Sequence, residues 1–411
     1  MPALAVDSDP AELGFSAERL GRIERFFQAY VDDGRLPGFL VAVTRRGRVV
    51  HVARSGARDM EAGRPVETDT LWRIYSMTKP ITSVAAMMLY EQGALELTDR
   101  VARYIPAFAD TRVFDGGSAL KPLTVPQLHP MTVRHLLMHT SGLTYGFHHA
   151  HPVDAIYRRA GLEWTLPEGL DLQACCEAWA RLPLLFQPGA EWNYSVSTDV
   201  LGRVVEVVSG QSLDAFFHEH ILGPLDMVDT GFAVADGEGE RLAALYTPDP
   251  GTGKAKREKQ LGERVLSPPQ ALMGGSGLVS TAHDYHRFTQ MLLNEGELDG
   301  VRLLGSRTLR YMTRNQLPGG ADLAVFGRPL FAETPFDGVG FGLGFGVVTD
   351  PVALGLPRTA GEYTWGGAAS TSFWVDPAEG ITVLFFTQLL PSSTWPIRSQ
   401  LAQLVMQALV D

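Results

Sequence analysis

The chain has 411 residues, a formal net charge of −11, 45% hydrophobic and 20% charged residues, the balance of a globular protein with a large core and room for two or three domains. An acidic chain without a long lysine or arginine run does not suit nucleic acid, and no run approaches the length of a membrane span. The two cysteines, Cys175 and Cys176, are adjacent, which excludes a disulfide framework.

The first residues, "MPALAVDSDPAELGF", lack a basic start followed by an apolar stretch, so no signal peptide is evident and the cytoplasm is the expected location. "SAERLGRIERFFQAYVDDG" reads as an amphipathic helix, and "GFLVAVTRRGRVVHVARSG" as two strands around a turn at Arg46-Gly47. Next comes "WRIYSMTKPITSVAAMMLYEQG". Ile81, Val84, Ala85, Met88 and Leu89 recur with the helical period, and Ala86, Met87 and Tyr90 make the other faces nearly as apolar, so this helix is expected to be buried all round. Gly93 suits its end, and Pro80 is tolerated in a first turn whose N–H groups have no intrahelical partner.

That helix is expected to begin near Ser76, a good cap type. Residues three apart share a face, so Ser76 Oγ and Lys79 Nζ can meet where the positive end of the helix dipole points. A serine hydroxyl is a poor nucleophile until a base takes its proton. A lysine can be that base if burial and nearby positive charge lower its pKa. The plainer reading is a capping serine and a lysine that reaches solvent. S-x-x-K alone is a weak motif, since "SALK", Ser118 to Lys121, also fits. That copy follows Gly116-Gly117, precedes Pro122 and opens no apolar helix, so it reads as loop.

From about residue 95 to 260 the pattern is helical patches and long loops, including "TVRHLLMHTSGL", "LDLQACCEAWARLPLL" and "STDVLGRVVEVVSGQSLDAFFHEHIL". "HHAH", His148 to His151, reads as a polar loop because no metal signature such as H-E-x-x-H accompanies it. "KAKREK", Lys254 to Lys259, reads as a solvated loop. From about residue 334 three strands follow, in "GFGLGFGVVTD", "EYTWGGAASTSFWVDP" and "GITVLFFTQLL", and "PIRSQLAQLVMQALV" closes the chain as a helix. Strands at both ends imply an α/β (α+β) fold: one antiparallel sheet built from both termini and covered by helices, with a mainly helical insert. The expected division is 1–94 with 265–411 for the sheet-containing part and 95–264 for the insert, with a ligand site in the cleft between them.

Two further segments can join Ser76 there. Tyr194, in "PGAEWNYSVSTDVLGRVVEVV", lies on a loop leading into an apolar helix, where a phenol can point into a cleft. A neighbouring cation such as Lys79 would favour its phenolate; otherwise it is a packed tyrosine with its hydroxyl tied up. In "YTWGGAAS", Tyr363 to Ser370, two glycines inside a strand pattern suggest close approach by another backbone or a ligand. An edge strand there with free N–H groups beside Ser76 would complete an oxyanion hole; a simple bulge is the alternative.

Taken together these segments make the chain resemble the serine β-lactamase and penicillin-binding protein superfamily, in its class C-like branch and closest to the family VIII carboxylesterases. "MTVRHLLMHTSGL", "FQPGAEWNYSVSTDVLGRVVE" and "GFGLGFGV" look like signature segments of that group, and the resemblance runs from about residue 13 to 411. It implies a β-lactamase-like fold, Ser76 as the acylated nucleophile, Lys79 as the lysine of S-x-x-K, and Tyr194 as the tyrosine of Y-x-N. Trp365-Gly366-Gly367 stands where K-T-G would be, and the implied oxyanion hole is the backbone N–H of Ser76 and of Ala368. Val196 stands where β-lactamases carry asparagine, and Trp365 replaces a lysine that helps hold a substrate carboxylate.

Y-S-x with W-G-G resembles the esterase branch. The expected substrates are therefore neutral small-molecule esters of small or medium acyl chains, with at most weak β-lactam hydrolysis. Trp365, Gly366, Gly367, Tyr145 and Val196 are expected to line the substrate pocket, and the loops from Thr144 to His151 and from Leu317 to Gly338 to shape it, with no cofactor, metal, nucleic acid or membrane. A Ser-His-Asp hydrolase is disfavoured because G-x-S-x-G is missing from the sequence. The same scaffold also serves an acyltransferase of the lovastatin-acylating type, a β-lactamase, a D-amino-acid peptidase or an amide hydrolase. A non-catalytic binding protein would not need all three of Ser76, Lys79 and Tyr194.

Overall fold

A sequence of two strands joined by Arg46-Gly47 needs a turn whose twist matches the strands, and a turn with both central residues at positive φ supplies it. Arg46 and Gly47 have φ of 52° and 80°, so β1 (Gly38–Arg45) and β2 (Arg48–Asp59) form a tight hairpin. This computed structural model describes residues 4–163 and 169–410. β1 is buried along its whole length, as a strand covered on both faces must be. Its other neighbour comes from the far end of the chain.

β3 (Arg64–Pro65), β4 (Val339–Phe341), β5 (Gly346–Val348), β6 (Tyr363–Gly367), β7 (Thr371–Asp376) and β8 (Ile381–Phe386) complete an eight-stranded sheet in the order β4-β5-β6-β7-β8-β1-β2-β3. All its pairings are antiparallel, and Leu40 faces Phe386 across the central β1–β8 seam. One sheet built from both ends of the chain is the expected fold.

On one face lie α1 (Ala17–Asp32) and α5 (Ile397–Met406). Leu20, Ile23, Phe27 and Tyr30 form the buried stripe of α1, and Phe27 meets Phe385 with ring centroids 4.9 Å apart. Each such side chain contributes about 1.5–3 kcal/mol by leaving water. The other face packs against α4 (Ala282–Leu293), and α2 (Thr78–Glu91), with α3 (Ser197–Ser209) packed on it, shares one core with α4, Leu40, Phe373 and Phe386. α2 is buried nearly all round, as its sequence requires, and ends at Gly93 with φ 69°.

α4 is not among the elements read from the sequence, although its signals are present. Thr281 Oγ accepts the N–H of Asp284, and Tyr285, Phe288, Met291 and Leu292 are buried on one side. The basic run "KAKREK" is also not a plain loop. Ala255–Arg257 pairs with Tyr246–Pro248, and Arg257 reaches Asp59 at 2.7 Å. A second hairpin, Val113–Gly117 with Pro122–Val125, places Ser118 at an exposed turn. Among the described residues no helix is long and apolar enough to cross a membrane.

Candidate active site

Ser76 does not cap α2. It sits in a 3-10 turn, Tyr75–Met77, and α2 starts two residues later. The preceding residue, Tyr75, has φ 43°, a left-handed conformation that costs a non-glycine residue on the order of 1–2 kcal/mol. This turn frees the hydroxyl for other work. Ser76 Oγ accepts the Tyr194 hydroxyl at 2.6 Å and Lys79 Nζ at 3.2 Å.

The remaining Lys79 protons go to Tyr145 Oη at 3.0 Å and to the Gly275 carbonyl at 2.8 Å, which uses all three ammonium donors. Tyr145, read from sequence as a pocket residue, thus touches the lysine directly. Its ring stacks on Phe147 and meets Tyr194 edge-on, with centroids 4.6 and 5.2 Å away.

Burial lowers the Lys79 pKa to about 8, and the carboxylates of Asp199 and Glu333 oppose the shift. The charges that act on the lysine are negative, not the positive neighbours expected, and desolvation alone carries the depression. Burial likewise pushes Tyr194 well above the usual phenol range, with Glu333 adding to it. Tyr194 is therefore a protonated phenol at neutral pH. The lysine stands 4.7 Å from the Tyr194 ring centroid, over the face of the ring.

Asp199, Glu333 and Gly275 were not singled out in the sequence. Asp199 is the third residue of α3, and Oδ1 accepts the Gly275 N–H at 2.7 Å. The Gly275 carbonyl then holds Lys79, so one carboxylate both fixes the loop that orients the lysine and supplies a compensating charge. A Cβ on Gly275 would lie 2.6 Å from Asp199, which explains a glycine there. Burial pushes Asp199 up to about 6, with Lys79 pulling it back. Asp199→Asn keeps an acceptor for Gly275 and removes the charge. Lys79 then loses a partner that favours its charged form, so its pKa falls. For a reaction in which Lys79 is the base, a pH profile of kcat/KM should rise near pH 8, and Asp199→Asn should move that limb to lower pH; an upward shift would detach Asp199 from Lys79.

β6 brings the late strand against the Ser76 turn. A Cβ on Gly367 would come within 2.3 Å of the Ile74 carbonyl, and one on Gly366 within 2.2 Å of Arg398 Nη2. Close backbone approach is thus the reason for the Gly367 glycine, and a guanidinium fills the space beside Gly366. No bulge is involved, since Gly366 and Gly367 stay in register with Ser372 and Thr371. β6 is also not an edge strand. It pairs with β5, but only at Tyr363 and Thr364, so Trp365–Gly367 extend past that partner.

A cavity of about 480 Å³ opens on Ser76, Tyr145, Tyr194, Val196, Asp199, Glu333 and Ala368, with Phe147, Leu170, Trp179, Met273, Phe331 and Leu390 giving it an apolar wall. Trp365, Gly366 and Gly367 do not line it. Trp365 lies behind the tyrosine, its ring 5.4 Å from Tyr194 and 5.4 Å from Phe341. It supports the phenol rather than touching the cavity. Phe331 and Glu333 come from the 317–338 loop, which does reach the pocket.

The histidines of "HHAH" turn to separate partners. His148 Nε2 contacts the Tyr194 carbonyl at 2.7 Å, His149 meets Glu163 at 3.1 Å, and His151 caps Pro152–Arg159.

This fold and this constellation define a β-lactamase-fold serine hydrolase, and the chain belongs to the Beta-lactamase family, whose model matches residues 23–407. An uncharacterized protein of Mycobacterium tuberculosis is 37% identical over 364 residues, covering 88% of each chain. Esterase EstB of Burkholderia gladioli is 34% identical, covering 93% of this chain and 94% of its own. In structure the chain is similar to EstCE1, a hydrolase with promiscuous acyltransferase activity, at a TM-score of 0.80 and 28% identity over 98% of this chain and 99% of that one.

Proposed function

We propose that the protein is a family VIII-type carboxylesterase that cleaves small-molecule esters of small or medium acyl chains through an acyl-enzyme on Ser76. The observation that carries this reading is one oxygen, Ser76 Oγ, in hydrogen-bond contact with both Lys79 and Tyr194 at the wall of a largely apolar cavity. Lys79, with its pKa lowered to about 8, has a sizeable neutral fraction near neutral pH to take the serine proton. Ser76 attacks the ester carbonyl, and the oxyanion rests on the N–H groups of Ser76 and Ala368, each worth about 3–4 kcal/mol to the transition state. Tyr194 gives its proton to the leaving alcohol and regains one from Lys79. Water activated by the same pair then releases the acid. Every step uses groups of this chain.

Esters are favoured over β-lactams because Val196 lines the cavity and offers no amide to a β-lactam. A site whose polar partner is missing discriminates strongly against a substrate that needs it. The expected result is kcat/KM for p-nitrophenyl butyrate at least about a hundredfold above that for nitrocefin, a gap of about 2.7 kcal/mol. Nitrocefin turnover equal to ester turnover would return the protein to the β-lactamases. Likeness to EstCE1 supports a second reading, transfer of the acyl group to an alcohol by the same residues. Product analysis with and without added alcohol separates the two.

A further inference from the structure

Glu333 is the least explained polar group at the cavity. Its side chain is 1% exposed, yet only Oε2 is engaged, by Ser392 Oγ at 2.9 Å and by Arg398 Nη2. Among the described residues Oε1 has no hydrogen-bond partner and almost no accessible surface, a state that costs on the order of 1–3 kcal/mol for a buried polar atom. Arg398 also donates to the carbonyls of Gly367 and Thr371 and to the Glu333 carbonyl. It therefore pins the carboxylate to the end of β6, beside Ala368. Glu333 lines the cavity and Arg398 does not, so the pair shows the cavity its negative end.

We propose that the Glu333 carboxylate forms a substrate subsite, which makes the enzyme select esters bearing a hydrogen-bond donor, an ammonium or a hydroxyl, and reject esters bearing a carboxylate. This rests on Ser76 being the nucleophile. Among the described residues two cations also line the cavity, Arg73 and Arg264. Arg73 donates from Nη1 and Nη2 to Ala243, Gly262 and Gln388, while its Nε has no hydrogen-bond partner among the described residues, and Arg264 is exposed. Among the described residues, the other carboxylates there are Glu163, which pairs with His149, and Asp199, which serves Gly275. Lys79, Tyr145 and Tyr194 all feel the charge of Glu333.

The test compares kcat/KM at pH 7.5 in two ester series. One varies the acid: ethyl 3-aminopropanoate, ethyl 3-hydroxypropanoate, ethyl butyrate and monoethyl succinate. The other varies the alcohol: 2-hydroxyethyl butyrate, propyl butyrate and butyryloxyacetate. In at least one series the donor-bearing ester should exceed the neutral one, and the carboxylate should fall about tenfold or more below it, the scale of like-charge repulsion across a partly desolvated site. Glu333→Gln should shrink the neutral-to-carboxylate ratio by about the same factor; the ratio is read because the variant also removes a charge acting on Lys79. If Glu333→Gln does not fold, calorimetric binding of butylammonium and butyrate to the wild-type protein decides, with butylammonium expected to bind at least about tenfold tighter. A carboxylate ester turned over as fast as its neutral partner in both series, an unchanged ratio in Glu333→Gln, or tighter binding of butyrate would overturn the subsite and pass recognition to Arg73 or Arg264. Hydrolysis that survives Ser76→Ala would instead sink the nucleophile, while the binding measurement still judges Glu333.

Discussion

Ser76→Ala is expected to remove ester hydrolysis, by roughly 10⁴-fold or more in kcat, and to end labelling by a serine-directed fluorophosphonate. Ser76 Oγ receives hydrogen bonds from Tyr194 at 2.6 Å and from Lys79 at 3.2 Å. Ser118, the serine of the second S-x-x-K, stands at an exposed hairpin turn, where its hydroxyl accepts the Lys121 N–H. Ser118→Ala should therefore keep full activity. Intact-mass measurement after labelling checks both at once. A dead Ser118→Ala, or a labelled Ser76→Ala, would reassign the nucleophile.

The second large effect belongs to the base. Lys79→Ala and Tyr194→Phe should each lower kcat by about 10²–10⁴-fold, the span of general acid–base catalysis. Because both groups contact the same oxygen, the double variant should be little worse than the poorer single one, as with residues that act as a unit. Tyr194→Phe is the cleaner probe, since it keeps the ring that packs between Trp365, His139 and Tyr145. Turnover near wild type in Tyr194→Phe would take the phenol out of the mechanism, and fully multiplicative losses would mean that the two act separately.

How far residues alone lead depends on the range of the interactions involved. α1, α2, α3 and the late strands were readable because apolar periodicity is local. Ser76 and Lys79 were readable because three residues along a chain entering a helix fix their relation. Tyr194 joined them through family likeness rather than through anything in its own neighbourhood. Asp199 and Glu333 were not found, because a carboxylate at the start of a helix or in a proline-rich loop is usually a solvated one. What makes them matter is burial against partners about 75 and 65 positions away, Gly275 for one and Arg398 for the other. Trp365 shows the same limit. Its place in the motif was clear, but whether the indole faces the cavity or the back of Tyr194 depends on packing by Phe341, two strands away. The lowered pKa of Lys79 follows from burial, one of the two causes expected, while the expected positive neighbour is replaced by the carboxylates of Asp199 and Glu333.

The seam between β1 and β8 pairs Leu40 with Phe386 and Arg45 with Ile381, which gives the protein an order of events as it is made. The hairpin carrying β1 leaves the ribosome early but has an open edge until the chain beyond residue 380 has followed, and such long-range pairings are slow to close. The same delay applies to Ala368, which reaches the Ser76 turn only when β6 has formed. A nascent chain therefore carries its serine for most of synthesis without the backbone that would stabilise an oxyanion, so hydrolysis should switch on as a late, all-or-none event. Halves of the chain produced as separate fragments should regain activity only on re-forming that seam.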